Sequence, residues 1–274
     1  MAELILARLK LPFFSVKSPE AFQVMSALPL PQPSTLLGAL AYGVGVASGR
    51  GTRAYEEVVE LARKGRLMAA RAAAPPGASL PLVFSSVVLR RFRVADKAHE
   101  AKGKGERKPI ELLREAVGSG DYAEAKRIIE VELSDALYRE YVVGFEILAA
   151  WVAEEGAVDP RAAWSVHRLG DTESLCTVVD VSVERCPVAR KKVVRTLFPA
   201  PAVDGMLVRS GGAVFAKMSD ELRELRTFAV PGFRGFERAG RAKVPVFRPG
   251  YAEIEYPGEV AVCESSLGDI VLRG

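Results

Sequence analysis

Along the first residues, apolar positions fall on both faces of an extended chain. Leu4 and Leu6 share one side, and Ile5, Ala7, Leu9 and Leu11 the other. Such a run predicts a strand over 3–14 in the middle of a sheet, covered above and below. After a long loop the pattern switches to the helical period, predicting helices at about 34–47 and 53–64. In the second helix Tyr55, Val58, Val59 and Ala62 form one stripe, and Glu60 and Lys64 are spaced to pair. An alanine- and proline-rich stretch at 69–78 breaks at Pro-Pro-Gly, and 81–94 is β-rich.

Residues 95–108 have no periodicity and no large apolar side chain, which predicts an exposed charged tip. Helices are expected at 109–117 and 121–133, the second opening with Asp121 and Glu124 at capping-box spacing. Residues 81–133 thus read as an insertion: a β arm, a tip and a helical return. Two strands follow. In 137–148, Tyr141, Val143, Phe145 and Ile147 alternate with polar or small residues. In 174–184, Leu175, Thr177, Val179, Val181 and Val183 share a face opposite Asp180, Ser182 and Glu184. Between them Pro160 opens a short helix. The order over 1–186 is strand, helix, strand region, strand, short helix, strand. That is the βαββαβ order of an α+β, ferredoxin-like (RRM-like) domain with an inserted thumb. Residues 187–274 are short β runs punctuated by Gly and Pro, a C-terminal β-rich annex.

With 274 residues, 49% of them hydrophobic, the chain can bury a sizeable core. No apolar run nears the roughly 18–20 residues of a membrane span, and the first residues lack a signal-peptide core. A soluble, cytoplasmic protein with no membrane partner is expected. A net charge of +4 leans towards anionic partners. Arginine outnumbers lysine, Asn is absent, and Gln occurs only at Gln23 and Gln32, a pattern expected of a thermophile. Cys176, Cys186 and Cys263 form no CxxC pair and the chain has two histidines. No metal site is expected, and buried thiols are favoured over a disulfide.

P-loop, Rossmann, nucleophile-elbow and HExxH signatures are all missing, so no cofactor is expected. Basic residues concentrate in two stretches. In 89–108, Arg91 and Arg93 point to one face of an extended arm and Phe92 to the other, near Arg90. Arginines grip phosphates and an aromatic plane stacks on an unpaired base; the alternative is a solvated charged hairpin. In 188–198, Lys191, Lys192 and Arg195 read as a solvated annex strand. The loop after His167 and Arg168 turns at Gly170 and continues through Asp171, Thr172, Glu173 and Ser174. It either offers N–H groups to phosphate or satisfies its own polar groups. In PLPQPSTLLGAL (29–40), three alternating prolines hold an extended lead, and Ser34 or Thr35 is a natural N-cap. The helix N-terminus there is a candidate anion seat. Leu36, Leu40 and Val44 turn to the core, and Gly38 is expected to allow close packing on the sheet.

FSVKSPEAFQ (14–23) with PLPQPSTLLGAL, LYREYVVG (137–144) and HRLGDTESL (167–175) come in the order and spacing of one family's landmarks. The chain resembles the CRISPR-associated proteins that cap the 5′ handle of guide RNA in Cascade-type complexes, the Cas-five family of the RAMP superfamily. It is most similar to the archaeal type I-A branch. The resemblance covers about 1–47 and 135–186. It implies a non-catalytic subunit that binds the 5′ repeat-derived handle of crRNA and caps the backbone filament in antiviral defence. Such a subunit packs beside the backbone subunit and under the large subunit. On this chain the thumb falls at about 85–120, with Arg90, Arg91, Arg93 and Lys97 as its RNA contacts. The palm contacts are Lys17, Gln23, Ser34, Thr35, His167, Arg168, Gly170 and Thr172. A type I-C branch of the family processes the guide precursor without metal, which needs a base, an acid and a cation. Here Tyr42, Lys97 and His99 are the residues that fit that alternative, although Tyr42 reads as core and His99 lies in the charged tip. A second alternative is a purely structural assembly subunit, favoured by the apolar annex and modest charge.

Overall fold

In the computed structural model the chain begins with β1 (Ala2–Lys10), β2 (Phe13–Phe14), β3 (Val24–Met25), α1 (Pro33–Ser48), α2 (Arg53–Arg63), β4 (Leu67–Ala73) and β5 (Leu82–Phe92). Helices α3 (Val94–Lys97), α4 (Pro109–Gly118) and α5 (Tyr122–Arg127) follow, the last continued by a π-helical turn Ile128–Glu132. Next come β6 (Ser134–Val143), β7 (Glu146–Glu154), a 3₁₀ helix Pro160–Ser165, β8 (Thr177–Cys186), β9 (Val188–Thr196) and β10 (Ala200–Pro201). The chain ends with β11 (Leu207–Ser210), β12 (Ala213–Ser219), β13 (Leu225–Ala239), β14 (Ala242–Pro249), β15 (Ala252–Ser265) and β16 (Gly268–Val271). The structure describes residues 1–21, 24–77, 80–100, 103 and 105–273, without the side chains of 24, 89–91, 94 and 95. The fold is mixed α/β, with mostly antiparallel sheets and few helices. Two compact units result: Met1–Ala21, Ser26–Ser85 and Glu140–Gly274 form the first, Phe22–Met25 and Ser86–Arg139 the second.

The first unit is organised by β1. It lies between β7 and β8 in a four-stranded sheet of order β4-β7-β1-β8, every neighbour antiparallel. Its two apolar faces serve two cores, as the sequence pattern predicts. Ile5, Ala7 and Leu9 pack with Trp151, Ala70 and Ala72 against Leu36, Leu40 and Val58 of the helices. On the other face Leu4 joins Ala69, Ala150 and Val152 against Leu197, Phe198, Cys263 and Ile270. Each large side chain fully buried this way contributes roughly 1.5–3 kcal/mol. Beyond that second face, β15 pairs with β9, β11 and β16. β13 pairs with β10, β12 and β14, and β14 pairs with the first residues of β5.

Four local expectations are corrected. The second and third strands of the four-stranded sheet are β4 and β7, in place of 81–94 and 137–148. β4 is the alanine-rich stretch, whose small side chains let α1 and α2 lie close on the sheet. The alternating run at 137–148 is broken at Gly144, with β6 before it and β7 after it in different sheets. In β8 a bulge interrupts the alternation, since Arg8 pairs with Asp180 but Leu9 with Val178. Val178 therefore packs against the core in place of exposed Val179; Val181 also packs there, while Leu175 and Val183 are exposed. Finally, Cys186 and Cys263 form a disulfide between β8 and β15, and only Cys176 is a buried free thiol. Their scatter in sequence hid a Cα–Cα distance of 5.4 Å, well within disulfide range.

The chain enters and leaves the second unit along β5 and β6. Ala98, Ala116, Ala125, Ile128 and Leu133 form its small core. Asp121 caps α5 by accepting the Glu124 N–H at 2.9 Å, as predicted. The charged tip is more ordered at its start than its composition implies: α3 opens it and Ala98 is buried.

Candidate functional site

Helix α1 starts one residue earlier than expected. Pro33 is its first residue and Gln32 its N-cap, with no side-chain capping bond. Proline suits that place because it has no N–H to lose and a preset φ. Ser34 and Thr35 consequently lie inside the first turn, and the Thr35 N–H donates to Gln32 O at 3.0 Å. The Gln32 side chain instead accepts the Ser219 N–H at 2.9 Å, tying the end of β12 to the helix start. From the other side the Trp151 indole donates to Leu36 O at 3.1 Å and fixes the first turns on the sheet.

The close-packing glycine of α1 is Gly43. A methyl group there would stand 2.0 Å from the Ala162 carbonyl oxygen, so the 3₁₀ helix lies directly on the α1 backbone. Gly38 meets nothing within 4 Å and faces open space. The 3₁₀ helix is capped by Asp159, which accepts the Arg161 N–H at 2.9 Å. Ala162 and Ala163 are buried, and the chain then emerges as exposed His167 and Arg168.

Leu169 is buried again, and the loop closes with the Leu169 N–H on Ser174 O at 3.0 Å and the Cys176 N–H on His167 O at 2.8 Å. Gly170 has φ 128°, and a side chain there would stand 3.0 Å from Ser15 O and 3.1 Å from Ser174 Oγ. Only glycine fits that turn. Ser174 Oγ accepts the Ser15 N–H at 3.0 Å, and the Asp171 N–H donates to Ser15 O at 3.1 Å. The Thr172 N–H is taken by its neighbour Asp171 at 2.7 Å. Much of the loop's backbone therefore satisfies itself, and what it offers outwards is the side chains of His167 and Arg168. Burial pushes the nearby Cys176 thiol up to about 11, so it stays protonated.

These elements enclose a cleft of about 470 Å³. Ser34, Thr35, Gly38 and Tyr42 of α1 form one wall, His167, Arg168 and Gly170 the second, Ser219 and Arg223 the third. Among the described residues no carboxylate lines it. The Tyr42 ring lies 4.6 Å from that of His167, and the tyrosine is half-exposed, not in the core. Arg223 sits in the β12–β13 turn at φ 65°, its guanidinium 5.3 Å from the Tyr55 ring centre. Buried Asp220 shapes that turn by accepting the Leu222 and Glu224 N–H groups at 2.8 and 2.9 Å. Among the described residues, neither Arg168 nor Arg223 forms an ion pair, while neighbouring Arg226 is held by Asp220 and Glu224. A helix N-terminus, two guanidiniums without ion pairs among the described residues, an imidazole and the hydroxyls of Ser34, Thr35, Tyr42 and Ser219 converge here, a set suited to an oxyanion such as phosphate.

The cleft thus brings together Ser34, Thr35, His167, Arg168 and Gly170 from the expected palm. Lys17 and Thr172 are exposed on the flanking segments, outside the lining. Gln23 and the side chains of Arg90 and Arg91 lie outside the described residues. In the second unit Arg93 pairs with Asp96 at 3.1 Å and Asp135 at 3.2 Å, and Lys97 also pairs with Asp135. Hydrogen bonds from Lys97 and then Arg93 hold the Asp135 carboxyl below its usual range. His99 is exposed in the same unit, whereas Tyr42 belongs to the first. In β9, Lys191 is shared by Glu264 and Asp269 at 2.6 and 2.8 Å, a structural use of its charge. Ser219 and Arg223 were missed because nothing in their local sequence links them to α1. No group of three or more His, Cys, Asp or Glu among the described residues could hold a metal ion. No helix among them is long and apolar enough to cross a membrane.

The fold and the cleft first define a class: a mixed α/β protein of antiparallel sheets carrying a basic, carboxylate-free cleft at a helix N-terminus. No family model matches the chain. It is 30% identical over 223 residues to a CRISPR-associated protein Cas5 of Thermoproteus tenax, covering 80% of this chain and 81% of that one. It is 28% identical over 226 residues to a CRISPR-associated protein Cas5 of Methanocaldococcus jannaschii, covering 75% and 77%. Its fold is similar to that of a CRISPR protein from Archaeoglobus fulgidus, with a TM-score of 0.57 at 19% identity and full coverage of both chains. The chain belongs to the CRISPR-associated protein Cas5 family.

Proposed function

We propose that this chain is a non-catalytic, crRNA-binding subunit of a type I-A, Cascade-type CRISPR effector complex. It holds the 5′ repeat-derived handle and caps the backbone filament, with the backbone and large subunits as its protein partners and the cytoplasm as its place. The observation that carries the reading is the cleft in which Arg168 and Arg223, both free of ion pairs, face the first turn of α1 with no lining carboxylate. Its 470 Å³ falls within the roughly 300–1,000 Å³ of small-ligand sites, room for a nucleotide rather than a duplex. The strand order β4-β7-β1-β8, with α1 and the 3₁₀ helix as crossovers, supports a ferredoxin-like palm. The second unit is the counterpart of the thumb, with Arg93 and Lys97 as its contacts, and β9 to β16 form the C-terminal subdomain. The non-catalytic role is the one that the resemblance to the handle-capping members of the family implies. Arg168→Ala and Arg223→Ala test the cleft. Each is expected to weaken handle RNA binding and to lower the slope of log affinity against log salt by about 0.7. Unchanged affinity and slope in both variants would remove the cleft as the RNA seat.

A further inference from the structure

β13 and β14 form a long hairpin whose outer part no core requires. β13 leaves β12 at Pro231, and from Gly232 to Ala239 it pairs with β14. Pairing of β14 with β5 ends at Val246. The base of this arm is fixed. The Gly232 N–H donates to Gly212 O at 2.7 Å, and Gly232, at φ 139°, leaves no room for a side chain against Arg248 O. The Arg234 guanidinium lies 5.3 Å from the Phe84 ring centre. At the tip Gly240, with φ 63°, takes the first place of a two-residue turn, the glycine position of a type II′ hairpin. The arm is a preset two-stranded ribbon.

Cross-strand register sorts its side chains. Phe236 stands opposite Pro245 and Arg238 opposite Lys243, so Arg234, Phe236, Arg238 and Lys243 share one face. Glu237 falls on the other face, where Arg248 neutralises it. Phe236 is 73% exposed, the most exposed phenylalanine among the described residues. Arg234, Arg238 and Lys243 are exposed, and none forms an ion pair among the described residues. One aromatic ring with only a proline beside it is too small an apolar patch to dock a protein or enter a bilayer, and it is ringed by uncompensated positive charge. An aromatic face between phosphate-binding cations is what an unpaired base and its backbone require.

We propose that this face binds single-stranded nucleic acid, with a base stacked on Phe236 and phosphates held by Arg234, Arg238 and Lys243. It is a second contact beyond the cleft and does not depend on it. The test uses the full chain and labelled, unstructured oligouridylate and oligothymidylate of about 15 nucleotides, with binding followed by anisotropy across a salt series. Phe236→Ala and Phe236→Leu should each bind about tenfold more weakly, and Phe236→Trp should bind as the wild type does. Arg238→Ala with Lys243→Ala should lower the salt slope by about 1.4. Thermal stability should not move for the exposed Phe236, which separates lost binding from lost folding. Loss on the uridylate alone assigns the face to RNA, loss on the thymidylate alone to DNA; either supports the proposal. Wild-type binding of both oligonucleotides by Phe236→Ala and by the double variant would overturn it. So would full affinity in Phe236→Leu, which marks an apolar contact, or an effect seen only with protein partners or anionic vesicles. An Arg168→Ala variant measured alongside separates the sites. If it binds these untagged oligonucleotides normally while the hairpin variants do not, this proposal stands, and the cleft is judged separately on handle RNA; the reverse result sinks this one alone.

Discussion

Gly38 and Gly43 lie on the same helix, and alanine at each should have opposite consequences for stability. Replacing a glycine inside a helix by alanine gains roughly 0.5–1 kcal/mol, because the unfolded chain has less freedom to lose. At Gly38 the new methyl group meets nothing within 4 Å, so that gain is kept. At Gly43 it would stand 2.0 Å from the Ala162 carbonyl oxygen and 2.9 Å from the carbonyl carbon. Both are backbone atoms, so no rotamer change relieves the clash, and α1 and the 3₁₀ helix must separate. Overpacking of that kind costs about 1–3 kcal/mol, and contact with backbone belongs at the upper end. Net of propensity, Gly43→Ala should lose about 2 kcal/mol. At roughly 2–4 °C per kcal/mol, Gly38→Ala should melt a few degrees above wild type and Gly43→Ala about 4–8 °C below it. Thermal and urea unfolding followed by circular dichroism read both. The Gly38 methyl group also enters the cleft, so the more stable variant should bind handle RNA less well, a combination unfolding cannot produce. A Gly43→Ala protein as stable as Gly38→Ala would refute the packing, and unchanged RNA binding by Gly38→Ala would refute the use of the cleft.

Glu221 and Arg71 form an ion pair with both side chains 1% exposed, and Glu221 also accepts the Ala70 N–H at 2.8 Å. Glu221→Gln leaves the guanidinium buried without its counter-charge and should cost about 3–5 kcal/mol in urea denaturation, an amount an unchanged midpoint would exclude. Thiol titration of the denatured, unreduced chain should find Cys176 alone, and Cys186 and Cys263 should appear only after reduction. Reduction should cost about 2–4 kcal/mol, given a sequence separation of 77 between the two cysteines. Burial raises the folded Cys176 thiol from 9.0 to about 11. Above pH 9 the unfolded chain loses that proton first, so stability should fall as pH rises towards 11, and Cys176→Ala should remove that part of the slope. Asp135→Asn releases Lys97 and leaves Arg93 to Asp96 alone, so RNA affinity should rise and its salt dependence steepen. No change in either would remove the thumb assignment.

The parts of the fold legible in sequence are those where one strong period governs one element. β1 showed its central place through apolar residues on both faces, and α2 through its stripe. β4 was missed because alanine carries little hydrophobic or strand signal of its own; its state is set by the helices packed over it. The 137–148 run misled because its apolar alternation crosses two strands of different sheets: Val143 and Phe145 are exposed, Val142 is the buried residue at the end of β6, and β7 is buried on both faces. In β8 the bulge put Val178 on the core face in place of Val179 while Val181 kept its expected side, and a bulge leaves no mark in an alternating pattern. The cleft was half legible. Proline-Ser-Thr and His-Arg-Leu-Gly each announce a helix start and a tight loop. Their meeting, and the arrival of Arg223 from the β12–β13 turn, are products of the tertiary fold. The roles within the cleft also shifted. Gly43 rather than Gly38 makes the close approach, and of the two readings open for the loop, the one in which it largely satisfies its own polar groups is the one observed.

The central claim is that the cleft reads the repeat-derived handle of the guide. Its most direct test compares binding of guide RNAs with and without the 5′ tag, at several salt concentrations, by the wild type and by Arg168→Glu. The account predicts tighter binding of the tagged guide by the wild type, and loss of that preference in Arg168→Glu with the residual salt-dependent affinity retained. Equal affinity of the wild type for both guides, with a salt slope set by charge alone, would contradict it.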